Sequence, residues 1–395
     1  MSQTMPSAPP TFRLFEGGAL SELQRAWRRT GSDEGHVGRT IALAVLVTWV
    51  PLLALAAIEG SAFGALATKP MLSDVAMYAR FLVALPLLLL APVASRDRLQ
   101  RSVAHFREAG LVNRDGHERF VANIISTLRL RDSAWAALLV LVLAYAYAGC
   151  FVVFLLPDMP ASWRTVGAGA HRDLSLAGWW FVLVSQPLWN FVVLRFAYRI
   201  LLWWRFLWQT ARLDLQLNAA HADKAGGLAF LGMTLAPFMV PVFAIAASMA
   251  GGLANLVLWT GASVSSYKFV ILGLAVFLVI MFAGPLLFFA GPLSETKRRG
   301  ILEYGVLSGR QLRVFERKWL GTGTDADAEV LNAPDFSALI DFQATVATVH
   351  EMTALPFQRM QIVPLLLAAL APFLPVAALE IPLRDILGQF LKIVM

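Results

Sequence analysis

An arginine lies well inside one of the apolar stretches of this sequence. Arg80 is five residues from the nearer end of the run 75–94, which is roughly 8 Å if the run is helical. A charge at that depth in a bilayer costs a few kcal/mol unless it faces protein, water or a polar partner. Arg80 is therefore a candidate for selecting or binding an anion. The alternatives are that it extends outward to Asp74 or a lipid phosphate, or pairs with a buried carbonyl.

Four polar residues share the long apolar run that starts at Leu176. Gln186 and Asn190 are four residues apart, so they share one face of a helix. Side-chain amides at such positions either hold helices together or line a wet path. Arg195 and Arg199 have the same spacing near the end of the run. They either anchor the helix at the headgroups, together with tryptophans, or form a pocket for an anion or headgroup.

A polar cluster follows this run at a chain reversal. It consists of His221, Asp223 and Lys224, followed by Gly226 and Gly227. One interpretation is that the polar trio caps backbone groups around a turn in which glycine supplies unusual backbone angles. The functional alternative is that the histidine and aspartate bind a cation, or that the lysine and the glycine amides hold a phosphate. As a metal motif the pair is weak, because it supplies at most two ligands.

The motifs of catalysis are missing from the sequence. It contains no G-x-x-x-x-G-K-[ST], H-E-x-x-H or G-x-S-x-G pattern, and His350-Glu351 lacks a second histidine at the zincin spacing. Cys150 is the only cysteine, which excludes an internal disulfide. We therefore expect no catalytic residues, no metal site and no cofactor. The lack of a carboxylate well inside a span also weakens a carrier driven by protons or sodium.

The composition is that of a membrane protein. Of 395 residues, 58% are apolar and only 15% are charged, and the mean hydropathy is +0.64. The net charge of +7 comes mainly from basic residues beside apolar runs, as membrane topology requires, so nucleic acid is not an expected partner. The expected partners are the bilayer itself and anionic headgroups on the basic side, and a homo-oligomer is an open alternative.

The apolar runs predict an all-α integral membrane protein with about seven transmembrane helices, several of them interrupted by proline, and a helical cytoplasmic layer. In the fourth run, Trp180 and Trp203 are 23 residues apart and are expected near the two interfaces. The predicted spans are approximately 41–58, 75–94, 134–156, 180–203, 228–256, 267–290 and 362–379.

Four regions follow from these spans. They are an N-terminal segment 1–40, a bundle 41–290 with a helical insertion at 95–132, a second helical insertion 291–361, and a last region 362–395 with span 7 and a short surface helix. Part of the N-terminal segment has the pattern of a short amphipathic stretch on the membrane surface. In the second insertion, 295–320 and 335–352 are predicted helices joined by an exposed loop.

The basic residues predict the orientation. Alternation of seven spans places 24 lysines and arginines on one side and six on the other. Because basic loops stay in the cytoplasm, the N-terminus is expected inside and the C-terminus outside, in a bacterial inner membrane.

Two stretches carry a resemblance to known proteins. They are HADKAGGL at the reversal and the ending LPFQRMQIVPLLLAALAPFLPVAALEIPLRDILGQFLKIV. Here the chain resembles bacterial polytopic membrane proteins whose function is uncharacterised. The resemblance implies a membrane location and no activity.

Three functions remain as hypotheses. The first is a channel or transporter for an anionic solute, with Arg80 as the binding residue and Gln186 and Asn190 along the path. The second is a scaffold or sensor subunit that transports nothing and binds a partner or anionic lipid on its basic side. The third is a membrane enzyme that acts on lipid at His221 and Asp223.

Overall fold

The computed structural model describes most of the chain. The described residues are 12–15, 17, 33–63, 69–155, 162–166, 173–319 and 334–379. Almost all of the predicted loop at 321–335 lies outside the described residues. The predicted helix of the C-terminal tail lies wholly outside them.

Seven helices in the described residues are long and apolar enough to cross a membrane, which confirms the predicted all-α, multi-pass architecture at the level of length and composition. We call them spans 1 to 7, in chain order: Val37–Ile58, Val75–Glu108, Ala134–Phe154, Leu176–Ala211, Ala229–Thr260, Val264–Trp319 and Arg359–Ala377. The loop between spans 1 and 2 contacts the loop between spans 3 and 4. We call this the arginine-poor end, and the opposite one the arginine-rich end.

The spans are built from shorter helical segments. The α-helical segments are Asp33–Ile58, Val75–Met77, Leu85–Glu108, Arg114–Arg131, Ala134–Cys150, Leu176–Trp180, Gln186–Ala211, Met239–Thr260, Lys268–Ala283, Ala290–Trp319, Pro334–Glu351, Arg359–Leu370 and Leu374–Ala377. The π-helical segments are Tyr78–Ala84, Phe151–Leu155 and Phe181–Ser185. The 3₁₀ segments are Met71–Ser73, Ala229–Phe238, Val264–Tyr267, Gly284–Phe289 and Ala371–Phe373, and a two-stranded antiparallel pair joins Thr165–Val166 to Asp173–Leu174.

The irregular segments of several spans lie next to or contain prolines. The π-helical segments of spans 2 and 4 end two residues before Pro86 and Pro187. Spans 5 and 6 contain 3₁₀ segments that include Pro237 and Pro285. Proline lacks the N–H that a regular α-helix needs and its ring crowds the preceding turn, so the hydrogen-bond register shifts around it.

Spans 2 and 5 approach each other through a glycine. A Cβ added at Gly251 would be 2.5 Å from Cβ of Ala79 and 3.1 Å from Cα of Ala76. The small residue is therefore needed for this contact, as in other close helix pairs within membranes. This contact lies one residue from Arg80 and fixes the segment that carries it.

Towards the arginine-rich end, aromatic rings fill the bundle. Phe196, Phe238 and Phe282 come from spans 4, 5 and 6, are at most 4% exposed, and have neighbouring ring centroids 5.1 to 6.2 Å apart. Phe15 from the N-terminal segment packs on the first two of these rings, at 5.6 and 6.1 Å. This half of the bundle is closed by apolar packing.

The arginine-rich end carries helices beyond the bundle. The helix at Ala290–Trp319 forms the last part of span 6. It pairs with Pro334–Glu351 through stacked Tyr304 and Phe342 rings and an edge contact of Phe315 with Phe336. These are the two helices predicted at 295–320 and 335–352. The helix at Arg114–Arg131 packs along span 4.

Three sequence expectations differ from the structure. The sequence places the polar cluster directly after the fourth run, but the helix ends at Ala211 and irregular chain separates it from His221. Trp203 is buried against Phe12 and Phe206, so it is no interface residue. The described part of the N-terminal segment is inserted in the bundle and does not lie on its surface, since Phe12, Leu14 and Phe15 are at most 4% exposed.

Candidate functional site

Arg80, Gln186 and Asn190 form one hydrogen-bonded chain between spans 2, 4 and 3. Nη1 of Arg80 donates to Oε1 of Gln186 at 2.9 Å, and Nε2 of Gln186 donates to Oδ1 of Asn190 at 3.0 Å. Nδ2 of Asn190 donates to the carbonyl of Ala144 at 3.2 Å. We call these three residues the amide–arginine chain. Each amide uses one donor and one acceptor within the chain, so the amides and the guanidinium orient one another.

Irregular helix geometry places both ends of the Arg80–Gln186 bond. Arg80 lies within the π-helical segment Tyr78–Ala84, and Gln186 directly follows the π-helical segment Phe181–Ser185. Such segments rotate the side chains that follow and are frequent at functional sites. The guanidinium of Arg80 also lies 6.0 Å from the ring centroid of Trp189. The chain thus combines a cation, two amides and an aromatic face inside apolar spans.

A second charged cluster lies at the arginine-poor end. Asp74, immediately before span 2, is 6% exposed and forms an ion pair of 2.7 Å with Arg164. Its carboxylate also accepts hydrogen bonds from Nε1 of Trp163 at 3.0 Å and Nδ2 of Asn255 at 2.7 Å. We call Asp74, Trp163, Arg164 and Asn255 the Asp74 cluster. It ties the loop between spans 1 and 2 to the loop between spans 3 and 4 and to span 5.

The electrostatics of the Asp74 cluster favour its ionised form. Burial raises the pKa of Asp74, but the charge of Arg164, the hydrogen bonds from Trp163 and Asn255, and the charge of Arg80 outweigh it. The net pKa is therefore below the ordinary value of an aspartic acid. Because the charge of Arg80 contributes to lowering the pKa of Asp74, the Asp74 cluster and the amide–arginine chain lie within electrostatic range of each other.

Packing fixes the guanidinium of Arg164. It lies 4.5 Å from the ring centroid of Trp163 and 5.0 Å from that of Phe181. Ser175 caps span 4 through the amide of Gly178 and donates to the carbonyl of Trp163, both at 2.8 Å. A Cβ at Gly178 would collide with the carbonyl of Arg164. The loop is therefore seated directly on the start of span 4.

Arg195 and Arg199 lie elsewhere, at the arginine-rich end, where they hold the N-terminal segment. Nη2 of Arg195 donates to the carbonyl of Gly17 at 2.9 Å, and Nη2 of Arg199 donates to the same oxygen at 2.7 Å. Nη1 of Arg199 also donates to the carbonyl of Phe15. Arg199 is 7% exposed. These contacts are internal, and the predicted headgroup anchoring and anion pocket stay predictions.

Asp223 organises the turn that begins span 5. Its carboxylate accepts hydrogen bonds from the backbone N–H groups of Ala225, Gly227 and Ala229 at 2.9 to 3.0 Å. Nδ1 of His221 lies 2.8 Å from the same carboxylate. Burial raises the pKa of Asp223, and these hydrogen bonds outweigh it and hold the pKa below its ordinary value. This geometry is that of a group that caps backbone N–H groups in a turn. Capping is one of the interpretations that the sequence left open; cation or phosphate binding is the other.

Lys224 and Gly226 pack against the second insertion, whereas Gly227 lies against Leu111 of the first. Lys224 has φ of 56°, pairs with Glu351 at 2.5 Å, and accepts a backbone hydrogen bond from Thr353 at 2.7 Å. Gly226 and Gly227 have φ of 64° and 95°, as expected for residues chosen for unusual backbone angles. The turn therefore joins span 5 to the helix at Pro334–Glu351.

The predicted site residues thus fall into three separate places. Arg80, Gln186 and Asn190 come together; Arg195 and Arg199 face the N-terminal segment; the turn cluster stands apart from both. Sequence reasoning named Asp74 only as a partner for Arg80 and missed Arg164, Asn255 and Trp163. An aspartate directly before a span and an arginine in the next loop on that side were the available signals.

The comparisons with known proteins give no further assignment. No protein-family model, no curated protein and no solved structure matches this chain.

Proposed function

We propose that this protein is a multi-pass membrane channel or transporter for an anionic solute, in a bacterial inner membrane with the N-terminus in the cytoplasm. The observation that carries the proposal is the amide–arginine chain, a cation held by two amides within apolar spans. Such a charge is costly in a membrane and marks ion pathways in many membrane proteins.

The surroundings of Arg80 support anion binding. Its Nε is buried and has no hydrogen-bond partner among the described residues, so one donor remains for a solute or water. The polar groups extend from the Asp74 cluster at one end to Asn190, about halfway along span 4. Beyond that level Phe196, Phe238 and Phe282 close the bundle. A solute would therefore reach these groups from the arginine-poor end.

The first test is transport by the purified protein. One set of proteoliposomes is given opposing gradients of potassium and chloride. A second set is given a gradient of the sodium salt of an organic or inorganic oxyanion. Ionophores serve as controls for leak in both. The proposal expects anions to cross and cations to be excluded. Vesicles that stay tight under every anion gradient would reject it.

A second candidate function is a scaffold that holds an acidic partner or anionic lipid at the arginine-rich end. One observation favours it. The helix at Ala290–Trp319 has an exposed face opposite the helix at Pro334–Glu351. The residues of this face are three or four positions apart, so they lie along one side of the helix. The face comprises Leu302, Val306, Arg310, Arg313 and Arg317. A protein that transports nothing but binds vesicles of anionic lipid through this face would support this function over the first.

A further inference from the structure

Three buried polar atoms near the arginine-poor end have no hydrogen-bond partner among the described residues. They are Nε of Arg80, Nε of Arg164 and Oδ1 of Asn255. Buried polar atoms in folded proteins are nearly always paired, so unpaired ones indicate water, an ion or a ligand. Two of the three are donors on guanidinium groups, and the third is an amide acceptor.

Nε of Arg164 and Oδ1 of Asn255 belong to side chains that both donate hydrogen bonds to the carboxylate of Asp74. Arg164 donates to Oδ2 of Asp74 at 2.7 Å and Asn255 to Oδ1 of Asp74 at 2.7 Å. The two side chains that carry these unpaired atoms are therefore both held by the carboxylate of Asp74. Arg80 stands within electrostatic range of both charged residues.

Arg80, Arg164 and Asp74 together carry one net positive charge. Among the described residues, Asp74 forms its ion pair with Arg164, while Arg80 donates its hydrogen bond to the neutral amide of Gln186. Because the charge of Arg164 and the hydrogen bonds to Asp74 keep the pKa of this carboxyl below its ordinary value, it stays ionised at neutral pH. A monovalent anion would neutralise the remainder.

We propose that Arg164 and Asn255, with Arg80 one step deeper, bind a small oxyanion that carries a hydroxyl group, of the class of dihydrogen phosphate or bicarbonate. Its anionic oxygens accept hydrogen bonds from the guanidinium N–H groups, and its hydroxyl donates to Oδ1 of Asn255. A halide offers no donor and leaves the amide oxygen unpaired. The inference rests on the proposed function and names the class of solute.

The site is preorganised by groups that do not touch the anion. The rings of Trp163 and Phe181 fix the plane of the Arg164 guanidinium. The hydrogen bond from Ser175 to the carbonyl of Trp163, together with the close approach at Gly178, fixes the backbone that carries it. A preorganised site loses less entropy on binding than one that must form around its ligand.

Binding is tested on the purified full chain in detergent. Sodium phosphate at pH 6, sodium bicarbonate and sodium chloride are titrated at constant ionic strength, and calorimetry and the unfolding temperature are recorded. We expect phosphate and bicarbonate to bind and to raise the unfolding temperature. Chloride in hundredfold excess should not displace phosphate. Equal binding of chloride, or no binding of either oxyanion, would overturn the inference.

Two variants assign the site. Asn255→Ala should weaken phosphate binding about tenfold and reduce the preference over chloride, because the acceptor is gone. The double variant Asp74→Asn with Arg164→Gln removes one charge of each sign and should abolish binding. Arg212→Gln, an exposed arginine at the other end of span 4, is the matched control. Unchanged phosphate binding in Asn255→Ala overturns the inference even where the double variant does not fold.

The outcomes separate this inference from the proposed function. If anions cross and only Arg80 matters for their flux, the inference falls and the proposed function stands. If phosphate binds in a manner that depends on Asn255 but no anion crosses, the proposed function falls and the binding site remains.

Discussion

Nη1 of Arg80 in span 2 donates a hydrogen bond of 2.9 Å to Oε1 of Gln186 in span 4, across 106 positions of the sequence. Gln186 in turn donates a hydrogen bond to Asn190, so a cation within an apolar span is held by amides and no carboxylate contacts it directly in the described residues. An amide orients the guanidinium without cancelling its charge. The charge of Arg80 is therefore left available to an anionic solute.

The contact between spans 2 and 5 predicts a sharp difference between two adjacent glycines. Gly251→Ala places a methyl group 2.5 Å from Cβ of Ala79, so the spans must separate, and we expect a loss of about 1–3 kcal/mol of stability. Gly252→Ala is the control, because a Cβ there meets nothing within 4 Å. Thermal unfolding in detergent measures both. Equal unfolding temperatures for the two variants would contradict the packing described.

The inserted N-terminal segment predicts a large effect of one phenylalanine. Phe15→Ala removes a ring that is 3% exposed, and we expect a loss of about 3–5 kcal/mol. Phe63→Ala, at a position 82% exposed, is the control of the same residue type. Denaturant or thermal unfolding of the purified variants gives the comparison. An unfolding midpoint of Phe15→Ala as high as that of the control would mean that the segment is not inserted.

The turn predicts that Asp223 matters for stability more than its neighbour. Asp223→Ala leaves three backbone N–H groups without their acceptor, so we expect a loss of about 1–3 kcal/mol. His221→Ala removes one contact with the same carboxylate and should cost far less. A structural role also leaves anion flux per folded molecule unchanged in both variants. Loss of function in a fully stable His221→Ala would instead revive a catalytic role for the turn.

The Asp74 cluster predicts how stability depends on pH. Because the pKa of Asp74 is lower in the folded protein, its contribution is complete above about pH 4 and is lost as the pH falls through the folded value. Asp74→Asn should therefore be less stable at neutral pH and should show a shallower decline in acid. Asp341→Asn, an exposed carboxylate, should behave as the wild type. Parallel acid curves for Asp74→Asn and the wild type would show that the ion pair contributes nothing.

Much of the fold could be predicted from the sequence because the signals are local. Apolar runs of about 20 residues define the spans, and the periodic pattern of 335–352 matches the helix observed at Pro334–Glu351. Gln186 and Asn190 were predicted to share a face because four residues make about one helical turn. The same reasoning gave Arg195 and Arg199 as a pair, and they do bind one segment together.

What the sequence could not provide are the contacts between distant parts of the chain. Arg164 and Asn255 meet at Asp74 from positions 90 and 181 residues away, and no local pattern encodes that meeting. The segment that contains Phe12 and Phe15 has the composition of a surface stretch. Its backbone carbonyls nevertheless accept hydrogen bonds from Arg131, Arg195 and Arg199. Because every residue has a backbone carbonyl, the sequence does not indicate which residue accepts such a hydrogen bond.

The most direct test of the central claim is anion flux through proteoliposomes that contain Arg80→Gln, compared with Arg212→Gln and the wild type at equal amounts of folded protein. Glutamine keeps a polar side chain at position 80 and removes the charge. We expect the flux of Arg80→Gln to fall at least tenfold while Arg212→Gln matches the wild type. Undiminished, selective anion flux through Arg80→Gln would contradict the role assigned to the amide–arginine chain.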